Sequence, residues 1–82
     1  MPVGSTSVSQ ALARLEAGDL DGAHKLVQDD PSPEAAWVHA HLHRAEGDLS
    51  NARYWYRRAG RLEATGGLDD EKREIARVLD SG

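Results

Sequence analysis

The chain contains no cysteine and no phenylalanine, one methionine and three prolines. Without cysteine there is neither a disulfide framework nor a thiolate metal site. That absence is compatible with a reducing compartment, and the expectation is a cytoplasmic protein. Aromatic residues are scarce, with two Trp and two Tyr in 82 positions. Alanine supplies much of the apolar content, which favours closely approaching helices over a thick core. No apolar run reaches membrane-spanning length, and Met1 to Gln10 lacks the basic start and apolar stretch of a signal peptide. A membrane is therefore not an expected partner.

Positive charge is also in short supply. The formal net charge is −4, so wholesale nucleic-acid binding is not the default and nucleic acid is not an expected partner. The balance is uneven, however. Arg53, Arg57, Arg58 and Arg61 follow one another with no acid between them, and without those four charges the remainder of the chain carries −8. Eighty-two residues are room for one domain. A domain of that size buries only about 60% of the surface its unfolded chain exposes, so self-association or docking on a partner would relieve a thin core.

Punctuation along the chain gives the architecture. Residues 1–6 read as a small, polar, disordered lead, and 7–81 as a single helical domain. Ser7 is placed to cap a first helix through Ala17, with Val8, Ala11, Leu12 and Leu15 on one face. Gly18-Asp19 ends it and starts a second, Leu20 to Gln28. Two prolines in "DDPSPE" stop that helix. Ser32-Pro33-Glu34 starts a third, which runs to Glu46. Gly47-Asp48 repeats the break, and a fourth helix spans Leu49 to Arg61. After "TGG", the acids of "LDDEKREIARVLDSG" suit the N-terminus of a last helix, with Leu68, Ile75 and Leu79 as a weak apolar stripe. No stretch alternates with period two, so the fold class is all-α, with about five helices.

"EAGDLDGAHKLV" aligns with "AEGDLSNARYWY" at an offset of 29 residues, laying Gly18 on Gly47, Leu20 on Leu49 and Ala23 on Ala52. Each unit is helix, Gly-Asp turn, helix, and short connections force the paired helices antiparallel. The second unit, with Gly47, Leu49, Ala52, Tyr56 and Ala59, resembles a tetratricopeptide repeat. The first matches at Gly18, Leu20 and Ala23, with Val27 in place of the aromatic, and ends a turn early at Pro31. Such repeats are about 34 residues long, and the early Trp-Leu-Gly signature is missing from both units. The resemblance implies two antiparallel hairpins closed by a C-terminal capping helix, and it implies a partner-binding role without naming the partner. His39 to Gly60 also resembles a segment in a group of uncharacterised bacterial and fungal proteins that pairs H-x3-H-R with N-A-x-Y-W-x-R-R. It implies only that the histidine pair and the aromatic-arginine helix form one unit.

Two constellations could carry chemistry. His39 and His43 stand at i and i+4 on the flank of the third helix, with Glu46 a turn further on. That spacing lets two imidazoles chelate one metal ion, zinc or another divalent ion, with Glu46 as a third, oxygen ligand and His24 across the groove. An open fourth position would then hold an acidified water, a start for hydrolysis. The alternative is that these histidines bond a neighbouring helix and do nothing else, in which case no cofactor is involved. No HExxH, GxSxG or phosphate-cradling loop is present, so the signals weigh against an enzyme without excluding one. On the fourth helix, Leu49, Ala52, Tyr56 and Ala59 face inward and Trp55 is placed to meet the last helix. Tyr54, Arg57, Arg58 and Arg61 face solvent. Guanidinium groups around an aromatic suit an acidic protein or peptide, or another copy of the chain. The alternative is a solvated face whose arginines pair with Glu63, Glu46 or Asp48. Protein–protein interaction through this face is the leading expectation, and a small metal-binding, hydrolytic domain using His39 and His43 is its rival.

Overall fold

A computed structural model describes residues 6–81, and among these there are five helices and no strand. They are α1 (Thr6–Glu16), α2 (Leu20–Val27), α3 (Pro33–Ala45), α4 (Leu49–Ala59) and α5 (Leu68–Ser81). The expected lead lies outside the described residues, except that Thr6 already belongs to α1. Ser7 is therefore inside the first turn and is not the cap. Its hydroxyl donates instead to the Asp30 carboxylate, tying α1 to the α2–α3 connection.

The Gly-Asp breaks are built alike. Gly18 and Gly47 take the left-handed conformation, at φ +83° and +81°, which a side chain would strain. The amide of the next residue donates back to the helix just ended, Asp19 to the Arg14 carbonyl at 2.8 Å and Asp48 to that of His43 at 2.9 Å. The same aspartates then cap the following helix, accepting from the Gly22 and Asn51 amides at 2.9 and 3.4 Å. Three-residue connections send α2 back along α1 and α4 back along α3, and each pair packs together. Ala23 and Ala52 are both buried, as small residues must be where helices approach closely.

α3 is the middle of the molecule, in contact with α1, α2, α4 and α5. Every residue from Ala35 to Leu42 is buried, including Trp37, His39 and His41. A helix buried all round has no single apolar face. Val8, Leu15, Val27, Val38, Leu42, Tyr56 and Ile75 form the core. Through Ile75, α5 packs on α3 and α1. Leu49, expected inside, is 51% exposed because it opens α4 at the rim.

Candidate metal centre

One flank of α3 carries His39 and His43, whose rings lie one helical turn apart and stack with centroids 4.9 Å apart. The antiparallel return of α2 brings His24 to the same place. Its Nε2 is 3.1 Å from Nε2 of His39, and its ring meets that of His39 edge-on. One ring nitrogen from each of the three histidines falls within 4.8 Å of the others. Ligand nitrogens around a tetrahedral zinc ion stand about 3.3 Å apart, given Zn–N bonds of about 2.05 Å. The three rings would have to draw closer to close on such an ion.

Two features separate this cluster from an ordinary buried hydrogen bond. Nδ1 of His39 and Nδ1 of His43 are buried with no hydrogen-bond partner among the described residues, although buried polar atoms are nearly always satisfied. His39 is also 5% exposed, and burial, reinforced by His24 and His43 beside it, lowers its pKa from 6.5 to about 4. It is neutral at pH 7, the form a metal ion requires. The indole of Trp55 lies flat on the His39 ring, with centroids 3.8 Å apart and an interplanar angle of 11°, and fixes its plane. Trp55 therefore packs against α3 and not against the last helix, as the sequence had suggested.

Glu46, expected as the third ligand, is outside the three-nitrogen cluster. It ends α3 with its side chain 52% exposed and its Oε1 3.4 Å from His43 Nδ1, without hydrogen-bond alignment. From there it can neutralise or orient His43, the outer role that carboxylates play at metal-binding histidines. His24 supplies the third nitrogen in its place.

The opposite flank of α3 holds a second polar cluster, one the sequence reading missed. Glu71 on α5 is 3% exposed and accepts four hydrogen bonds. Trp37 Nε1 donates to Oε2 at 3.1 Å, and Tyr56 Oη donates to the same oxygen. His41 Nδ1 and Arg44 Nη1 stand 2.8 and 3.0 Å from Oε1. An ionised carboxylate only accepts, so His41 carries its proton on Nδ1. Burial alone would raise the Glu71 pKa, but the hydrogen bonds from His41, Tyr56 and Arg44 outweigh it and hold the group at about 2. The Tyr56 hydroxyl moves the other way, pushed up by burial and by the carboxylate beside it. The signal was there to read, since Glu71 stands one turn before Ile75 on the stripe with Leu79 that packs inward.

The expected arginine surface is divided by the structure. Arg61 turns back to lie over the Trp37 ring at 3.5 Å and pairs with Glu74, leaving the group formed by Tyr54, Arg57 and Arg58. Arg58 donates to the Tyr54 hydroxyl at 3.2 Å, and its guanidinium is 5.2 Å from the Trp55 ring. Arg57 is exposed, and its side chain makes no ion pair or hydrogen bond among the described residues. Arg53 pairs with Glu63. No described helix is long and apolar enough to cross a membrane. Compared with family models, curated proteins and solved structures, the chain matches none.

Proposed function

We propose that this chain is a small helical metal-binding domain holding one divalent ion of the zinc class between α2 and α3, with His24, His39 and His43 as ligands. The observation that carries the reading is the convergence of three imidazole nitrogens within 4.8 Å. An all-imidazole set suits zinc, nickel or copper and not magnesium or calcium, which prefer oxygen. The test is an imidazole NMR titration with zinc. One-to-one, saturable shifts at His24, His39 and His43, with His41 unmoved, are expected. His24→Ala should weaken zinc binding by more than the roughly 10–100-fold that losing an outer partner costs. Diffuse shifts spread equally over all four histidines would remove the proposal.

A second reading keeps the interaction role. What favours it is the outer face of α4, where Arg57 is exposed without an ionic partner among the described residues and Arg58 is gathered with Tyr54. An acidic peptide, or an acidic stretch of a second copy, fits that face. The resemblance of both hairpins to tetratricopeptide repeats, which serve as docking scaffolds, belongs to the same proposal.

A further inference from the structure

The donors available to complete a coordination shell around His24, His39 and His43 can be counted. The chain has no cysteine. Its one remaining histidine, His41, is buried on the far flank of α3 against Glu71. Two carboxylates lie near His43. Glu46 stands 3.4 Å from its Nδ1, on the outer side of the ring. Asp48 is engaged as the cap of α4, 2.7 Å from the Asn51 side-chain amide. No carboxylate joins the three nitrogens among the described residues. The cluster is also lopsided. His39 is buried under the Trp55 indole, whereas His24 and His43 are only partly buried, so the open side of the cluster is toward solvent.

We propose that the metal held by these three histidines keeps its fourth tetrahedral position open to solvent, and that this position takes a small carboxylate-type anion. The inference rests on the metal-binding reading above. Three protein ligands with one exchangeable position is the pattern of a reactive site, whereas a purely structural zinc is closed by four protein donors. Charge supplies the class of ligand. Three neutral imidazoles leave the full +2 of the ion uncompensated, and one anionic oxygen donor removes part of it. The Trp55 ring covers the face of His39, so the anion enters past the less buried His24 and His43.

The experiment uses the whole chain loaded with cobalt(II), a visible stand-in for zinc, after cobalt retention and molecular mass have been measured by dialysis and sedimentation. Azide is titrated into the loaded protein, followed by acetate. The expected result is a saturable change in the cobalt bands at one azide per cobalt, reversed by acetate, on a protein that stays monomeric. Glu46→Gln removes an outer partner of His43 and should loosen cobalt by up to about 10–100-fold, but once loaded it should give the same one-azide response. Cobalt retained at one per chain with bands that ignore azide would overturn the open position while leaving the metal site standing. So would an azide response seen only in Glu46→Gln, or cobalt-induced dimers whose fourth donor comes from the other copy. Azide binding that acetate does not reverse would overturn the carboxylate class. Failure to retain cobalt would remove the metal reading and this inference together.

Discussion

Each flank of α3 carries a cluster of polar side chains, yet the two are finished differently. On the α5 side, both oxygens of Glu71 are engaged by Trp37, Tyr56, His41 and Arg44, and charge sits against charge. On the α2 side, three imidazoles crowd together with one mutual hydrogen bond, and two of their nitrogens are buried with no hydrogen-bond partner among the described residues. Both arrangements lower a pKa, but for opposite reasons. Partners hold Glu71 ionised, whereas burial and like neighbours hold His39 neutral. A satisfied cluster explains itself as structure. The unsatisfied cluster is the observation on which the metal proposal stands.

That contrast can be tested by breaking each side in turn. The largest effect should follow Glu71→Ala, which leaves Arg44 without its buried partner. Removing one member of a buried ion pair costs about 3–5 kcal/mol, enough to erase much of the stability of so small a domain in a urea melt. A loss under about 1 kcal/mol would mean that the cluster is looser than it looks.

Acid should act on the two flanks in separate windows. The unfolded chain takes up a proton on His39 near pH 6.5, but the folded chain resists until about pH 4. Stability of the metal-free protein is therefore highest above pH 6.5 and falls by about 3 kcal/mol on the way down to pH 4. Glu71 contributes fully above its ordinary value of 4.5, and its contribution is lost as pH falls toward 2. Urea midpoints measured from pH 8 to 2 should show both declines. A flat profile above pH 5 would argue that His39 is not held neutral.

Zinc at 100 times its dissociation constant should add about 2.7 kcal/mol. The smallest effect is expected from His24→Ala in the absence of metal. It removes one neutral hydrogen bond, worth about 1 kcal/mol, yet it should cancel most of the zinc-induced gain. A thermal melt with and without zinc checks both statements, and equal zinc gains in the parent and variant would sever the link between His24 and the metal.

Helix order and boundaries were legible because they depend on local chemistry. Gly18-Asp19, Gly47-Asp48 and Ser32-Pro33 act within a few residues of themselves, and α4 stops only two residues short of its expected end. The i, i+4 spacing of His39 and His43 was equally local. What the sequence hid was which elements meet. Glu46 follows His43 at helical spacing, but as the cap just past the end of α3 its side chain is half exposed. His24, already expected across the groove, arrives by the folding back of α2 as the third nitrogen. Glu71 looked like an ordinary acid in a first turn, and only the burial of α3 on every side brings Trp37, His41 and Arg44 around it. Arg61 belongs to the outer face of α4 only if that helix runs on to it, and α4 ends at Ala59. Beyond Ala59 the chain turns, and the guanidinium finds Trp37.

The placement of the two tryptophans has a practical consequence. Trp55 lies flat on His39, and the Trp37 indole nitrogen is bonded to Glu71, so each flank of α3 has its own fluorophore. Emission from a Trp37→Phe protein reports on the imidazole cluster alone, and emission from a Trp55→Phe protein on the carboxylate cluster alone. With no third tryptophan in the chain to confuse the signal, zinc titration on one side and acid opening on the other can each be followed in its own single-tryptophan variant.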